Sequence, residues 1–292
     1  MNLADLAPHP VFGALPVPEH VDTVAVDLPV GRLSAYRVVP PGGLAAARSR
    51  GTVLVVPGYT GSKEDFRIAL PLLRDAGWAV VVISRRGQAD SVAPPALADH
   101  ALAEEAADVV RVAALLDDGR PVHLLGHSLG GVIARAAAIA SPSSFRSVTL
   151  LCSGPHGWTD RKYLERGLTA EKGSAALFDA VNPATHGLAD DELDPDLAFV
   201  RMRMRATSDH SIVGGGLILE DLDDTTAELA ATGLPVLVAH GEHDAAWPIA
   251  WQRDTADRLD SRYEVVAQAF HSPQIERPAD TVRLLGDFWA GR

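Results

Sequence analysis

The pentapeptide Gly126-His127-Ser128-Leu129-Gly130 sets a serine hydroxyl between two glycines. A short apolar run, residues 121–125, precedes it and reads as a buried strand; an Ala-rich run, residues 131–140, follows and reads as a helix. Gly-x-Ser-x-Gly between a strand and a helix is the nucleophile-elbow pattern. The turn is tight and strained, so a Cβ at Gly126 or Gly130 would collide with the facing backbone. It lifts the hydroxyl clear of the sheet and aims the N–H groups of a helix N-terminus at it. The chemistry on offer is attack on an electrophilic carbon. A serine hydroxyl is a weak nucleophile near neutral pH, so it needs a base within hydrogen-bond reach and a group to orient that base.

The elements that must position such groups follow in order. Residues 21–28 and 31–39 alternate apolar and polar and read as an antiparallel pair joined by a turn near Pro29. Pro40-Pro41-Gly42-Gly43 breaks that pattern, and a short polar stretch follows. Residues 52–56 are a continuous apolar, β-branched run, the mark of a strand covered on both faces and hence parallel, and residues 78–84 read as another buried strand. A helix is expected from Ser62, as N-cap, to Ala76, and another over residues 96–116 with Glu104, Glu105 and Asp108 on a polar face. Strand character returns at residues 147–152, 234–239 and 262–267, with closing helices at 249–259 and 280–290. The alternation predicts an α/β fold with a mostly parallel central sheet flanked by helices. Its ligands would bind at the carboxyl ends of the strands.

Between residues 155 and 232 the pattern changes to acidic clusters and short helical pieces, expected near 160–167, 172–180 and 195–207. This predicts an inserted, mainly helical cap over residues 155–232, on a core of residues 1–154 and 233–292. Gly214-Gly215-Gly216 is expected as a loop within the cap. Arg201, Arg203 and Arg205 are expected on a helix, spread over its surface to balance the acidic residues.

In an elbow fold the partners follow the serine in the order acid, then histidine. Asp244 and His271 lie in loops after the last two strands, at the same sheet edge as Ser128. Glu242 is the weaker acid candidate, nearer its strand end, while Asp221, Asp223 and Asp224 precede that strand and fall at the wrong edge. His240, His243 and Asp244 lack the helical spacing of a zinc protease, and no metal site or cofactor is expected. His127, Trp158 and Trp247 are candidates to line a pocket, His127 equally a structural residue of the elbow.

Four stretches carry a resemblance: Pro57-Gly58-Tyr59-Thr60-Gly61-Ser62, the elbow, Gly241-Glu242-His243-Asp244 with Trp247-Pro248, and His271-Ser272-Pro273 with Glu276 and Pro278. Together, in this order and each after a strand, they resemble the α/β-hydrolase superfamily of serine esterases over most of the chain outside the cap. The resemblance implies Ser128 as nucleophile, His271 as general base then acid, and Asp244 as the group that holds the His271 tautomer. It also implies the backbone N–H groups of Tyr59 and Leu129 as the oxyanion hole. Relatives often carry His-Gly where this chain has Pro57-Gly58. Its loop Ser84-Arg85-Arg86-Gly87-Gln88-Ala89-Asp90-Ser91 also departs from the common pattern, so Arg85 and Arg86 are given no role beyond loop structure. A serine at the elbow, rather than aspartate, sets the chain apart from dehalogenase and epoxide-hydrolase relatives.

The expected reaction is hydrolysis of a small or medium carboxylic ester through an acyl-enzyme. Thioesters, amides, carbon–carbon bonds beside a ketone and peracid formation use the same constellation, and a non-catalytic ligand-binding protein is the alternative from a different class. A net charge of -12 without a long basic run speaks against nucleic acid or anionic membrane partners. One cysteine, Cys152, permits no internal disulfide and suits a reducing, cytoplasmic setting. No secretory signal or membrane-spanning stretch is evident. Arginine far outnumbers lysine, which occurs only at positions 63, 162 and 172, a codon signature of a GC-rich bacterial genome.

Overall fold

The computed structural model describes residues 3–292, except the side chains of residues 4, 44, 48 and 49. Among the described residues, nine strands form one sheet: β1 (Ala7–Pro8), β2 (Asp22–Leu28), β3 (Gly31–Val38), β4 (Thr52–Val56), β5 (Ala79–Ile83), β6 (Val122–His127), β7 (Phe145–Leu151), β8 (Val236–Gly241) and β9 (Arg262–Val266). Their spatial order is β1-β2-β3-β5-β4-β6-β7-β8-β9. The first two strands and β3 pair antiparallel, and every pairing from β5 through β4 to β9 is parallel. The chain therefore has the α/β fold expected of its buried β-branched runs.

Those runs serve two cores at once, because successive side chains of a strand point to opposite faces. Leu54, Val56, Val81 and Ile83 pack on one face with Val109 and Val112 of helix α3 (Leu102–Leu116) and Ile133, Ala134 and Ala137 of α4 (Leu129–Ala140). Val53, Val55, Val80 and Val82 pack on the other with Leu70 and Leu73 of α2 (Ala69–Asp75) and Leu285, Phe288 and Trp289 of α12 (Pro278–Ala290). Small alanines let α4 lie close on the sheet, which brings its N-terminus to the strand edge.

Several elements differ from expectation. The polar stretch after Pro40 is a helix, α1 (Gly43–Arg50). The helix expected from Ser62 is a 3-10 turn, Lys63–Phe66, then α2. The one expected from residue 96 is likewise a 3-10 turn, Leu97–His100, then α3, separated by the extended Ala101. Glu105 and Asp108 do not face water: both are buried and paired with Arg85 and Arg86.

Five α-helices lie between β7 and β8: α5 (Tyr163–Lys172), α6 (Ser174–Val181), α7 (Pro195–Ala206), α8 (Asp209–Glu220) and α9 (Thr226–Ala231). Helices α10 (Ile249–Arg258) and α11 (Pro273–Glu276) follow β8 and β9. Gly214, Gly215 and Gly216 do not form a loop; they lie inside α8. Close packing explains them. A Cβ at Gly214 would stand 2.7 Å from His100 Cβ, and one at Gly215 would stand 2.9 Å from the Tyr59 ring and 3.0 Å from Leu129. Arg201 and Arg203 of α7 are buried rather than spread over its surface. Arg201 reaches Asp190 and the Leu188 carbonyl, and Arg203 reaches Asp65 of the core. Arg205 alone is exposed as expected, and it pairs with Asp190. Among the described residues no helix is long and apolar enough to cross a membrane.

Candidate active site

Ser128 caps the N-terminus of α4 with φ 55° and ψ −120°, a conformation that a non-glycine residue holds only under strain. Its N–H donates to the Leu151 carbonyl at 2.9 Å and its own carbonyl accepts from Gly131 at 2.8 Å, which pins the turn. The glycine requirement is literal. A Cβ at Gly126 would lie 2.1 Å from the Gly130 carbonyl oxygen, and one at Gly130 would lie 2.1 Å from that of Val56.

The structure brings the three residues expected to act together into one chain of contacts. His271 Nε2 lies 3.0 Å from Ser128 Oγ, and His271 Nδ1 lies 2.9 Å from Asp244 Oδ1. Burial, the largest single cause, pushes the Asp244 carboxyl up, but the His271 contact, the Ala246 N–H and Gln252 Nε2 together outweigh it. The net result holds the carboxyl below its usual range. An ionised carboxylate only accepts, so Nδ1 donates to it, which leaves Nε2 as an acceptor for the serine hydroxyl proton. The loop bearing His271 is clasped by Glu276, whose carboxylate accepts from the backbone N–H groups of Phe270 and Ser272.

Glu242 takes no part in this relay: it accepts from the Gln268 N–H at 2.9 Å. His240 is engaged by the Tyr263 hydroxyl at 2.6 Å and does not converge with His243 and Asp244. The ligand atoms that do converge belong to His127, Cys152 and His271, all within 4.8 Å of one another. Both His271 nitrogens are already committed, and burial raises the Cys152 thiol well above its usual range, so this group is a poor cation site.

His127 is buried beside the serine and donates from Nε2 to the His271 carbonyl at 2.7 Å. Burial, then the neighbouring His271, pushes its pKa down to about 4, so it is neutral at physiological pH. It lines a cavity of about 380 Å³ together with Ser128, His271, Gly58 and Tyr59. Trp158 and Trp247 do not line that cavity; they stand behind Arg161, which does.

Two residues given no catalytic bearing by the sequence set the loop after β4. Gln88 Nε2 donates to the Gly58 carbonyl at 2.8 Å and to that of Tyr59 at 3.2 Å, and Arg85 Nη2 approaches both at 3.4 Å. A trans peptide points its C=O and N–H in opposite directions. Holding the Gly58 carbonyl therefore turns the Tyr59 N–H away from Gln88. Gly58 lies against Ser128, where an added Cβ would meet the Ser128 Cβ at 3.3 Å. Leu129 opens α4, so its N–H has no intrahelical partner. The Tyr59 side chain runs outward and donates to the Ile212 carbonyl at 2.9 Å, tying this loop to α8. The departure of the loop from the common pattern is visible in the sequence at Gln88. The targets of Arg85 and Gln88, two backbone carbonyls, leave no mark on it.

Residues 51–278 match the family model described as alpha/beta hydrolase fold. The chain belongs to that family. As an α/β-hydrolase it is similar to "Putative carbamate hydrolase RutD" of Variovorax paradoxus, at 30% identity over 82% of this chain and 91% of that protein. Among solved structures it resembles the enol-lactonase of Burkholderia xenovorans, with a TM-score of 0.73 and 22% identity over 90% of this chain and 98% of the other. It also resembles a structure reported with the carboxylesterases of Nitrososphaera gargenis, with a TM-score of 0.70 and 19% identity over 91% and 97% of the two chains. At those identities the structural likenesses speak for the fold alone. Membership of this family makes the chain a hydrolase.

Proposed function

We propose that this α/β-hydrolase cleaves a small or medium carboxylic ester through an acyl-enzyme formed on Ser128. The observation that carries the reading is the unbroken relay Asp244–His271–Ser128, with contacts of 2.9 and 3.0 Å, beside a cavity that both Ser128 and His271 line. Ser128 Oγ attacks the ester carbon as its proton passes to His271 Nε2. The new oxyanion is met by the N–H groups of Tyr59 and Leu129, and one such donor typically contributes about 3 kcal/mol to lowering the barrier. Collapse breaks the bond to the alcohol, which leaves with the proton from His271. Water then repeats the sequence on the acyl-enzyme and restores Ser128. Asp244 keeps its charge throughout and stabilises the imidazolium.

Residues 155–232 act as the cap that shapes the cavity, on a core of residues 1–154 and 233–292. The test is turnover of activated esters of graded acyl length by wild type and Ser128→Ala. The reading requires saturable hydrolysis that Ser128→Ala removes, and equal background rates in both would end it. The name of the relative at 30% identity favours one second reading, cleavage of the carbamate C–N or C–O bond by the same relay. A p-nitrophenyl carbamate turned over faster than the matching ester would move the assignment there.

A further inference from the structure

Three cations line the cavity beside Ser128: Arg161 and Lys162, in the turn before α5, and Arg203 of α7. Two of them are neutralised from within. Lys162 Nζ lies 2.7 Å from Glu165, and Arg203 Nη1 lies 2.6 Å from Asp65. Arg161 differs. Its guanidinium sits between two indoles, 4.0 Å from the Trp158 ring centroid and 3.9 Å from that of Trp247. Nη2 donates to the Ala246 carbonyl, while Nη1 is buried without a hydrogen-bond partner. Among the described residues no carboxylate lies in ion-pair contact with it; Asp244 and Glu165 act on it only from farther off.

Such an arrangement is costly. A charge partly withdrawn from water without a counterion is destabilising. Burial pulls the Arg161 pKa down to about 10, which still leaves the group charged at neutral pH. The indole faces recover part of that cost through cation–π attraction and fix the plane of the fork. The chain has 38 acidic residues against 26 lysines and arginines, yet it leaves this cation without one. A counterion supplied by the ligand resolves the imbalance. The guanidinium keeps N–H groups beyond the one given to Ala246, and a carboxylate is the charged acceptor that such groups bind most strongly.

We propose that Arg161 receives a free carboxylate of the substrate, so that the ester cleaved at Ser128 is an acid-bearing one, such as a half-ester of a dicarboxylic acid. The inference rests on the ester-hydrolase reading above and narrows its substrate class. A neutral substrate of the same shape leaves Arg161 unpaired and gains nothing from it. The gain is in binding remote from the reacting carbon, so it shows mainly in KM unless it also orients the ester.

The experiment compares mono-p-nitrophenyl glutarate with its methyl ester, which has nearly the same shape and no charge. Wild type is expected to favour the acid in kcat/KM by about tenfold or more, the size of one well-made charged contact. Arg161→Gln is expected to lower that acid-to-neutral ratio by about tenfold, chiefly through the KM for the acid, and Arg161→Lys to recover part of it. Using the ratio removes any general loss of activity or folding in the variants. Turnover of both esters with a ratio unchanged by Arg161→Gln overturns the inference and leaves the hydrolase reading standing. If neither ester is turned over, the ester reading has failed, and calorimetric titration with glutarate decides the anion site alone. Binding that weakens about tenfold in Arg161→Gln supports it, and equal or absent binding in the two proteins overturns it.

Discussion

Arg85 and Glu105 form an ion pair 2.8 Å long with side chains only 1% and 4% exposed, and the same guanidinium reaches the carbonyls of Gly58 and Tyr59. A buried pair on α3 and the loop after β5 thus braces the loop that carries a proposed oxyanion donor. Burial pushes the Glu105 carboxyl up, and the charges of Arg85 and Arg86 pull against it. Removing one partner strands the other in a dry site. Glu105→Ala is expected to destabilise the fold by about 3–5 kcal/mol, measured as unfolding free energy in urea. A loss below about 1 kcal/mol, the range of an exposed pair, would show that water reaches Arg85.

Gln88 gives the more selective test of the same brace, because it is uncharged and donates to the Gly58 carbonyl at 2.8 Å. Gln88→Leu removes the shorter contacts on the Tyr59 peptide and leaves only the longer ones from Arg85. The expected result is a fall in kcat of about 10–100-fold with a smaller change in KM, since the oxyanion exists only in the transition state. An equal rise in KM with kcat intact would assign Gln88 to substrate binding instead.

What the sequence disclosed follows from how local each constraint is. The elbow was legible because Gly126 and Gly130 are required by backbone atoms a few residues away or on the adjoining strand. The parallel sheet was legible because runs such as Thr52–Val56 are buried on both faces. Glu105 and Asp108 were misread because their partners, Arg85 and Arg86, lie about twenty residues upstream and on another element. Helical periodicity alone sends a carboxylate to water. The three glycines of α8 were misread for a related reason. Glycine runs signal turns by propensity, but here His100 presses on Gly214, and Tyr59 and Leu129 press on Gly215, while Gly216 has looser contacts from 3.3 Å outward. The unpaired state of Arg161 had no signature at all, since it depends on which of 38 carboxylates come near it in space.

The glycines yield a prediction of opposite signs. In an exposed helix interior, Gly→Ala stabilises by about 1 kcal/mol. Gly167, within α5, has nothing within 4 Å of an added Cβ, so Gly167→Ala is expected to gain about that much. Gly214→Ala places its Cβ 2.7 Å from His100 Cβ and 2.8 Å from the His100 carbonyl oxygen, and is expected to lose about 1–3 kcal/mol. Thermal melts of the two variants check both, and stabilisation by Gly214→Ala would mean that α8 is not seated against His100.

Stability should fall in mild acid. His123 and His127 are buried, and burial, the largest cause in each, pushes both from 6.5 down to about 4. Their folded pKa values lie below the unfolded value, so between about pH 6.5 and 4 the unfolded chain binds protons that the folded chain refuses. The stabilisation is complete above pH 6.5 and is lost as pH falls toward 4. Each histidine is expected to cost about 2 kcal/mol between pH 7 and pH 5. Urea melts across that range check it, with His123→Gln expected to flatten the slope, and a stability independent of pH over this window would contradict it.

The central claim is that Ser128 is a nucleophile made reactive by His271. Fluorophosphonate labelling at neutral pH, read by intact mass and peptide mapping, tests it most directly. One adduct per chain is expected, on Ser128, with labelling that all but stops in His271→Ala while that variant keeps its cooperative melt. An unlabelled Ser128 in the folded wild type, or labelling that proceeds as fast without His271, would contradict it.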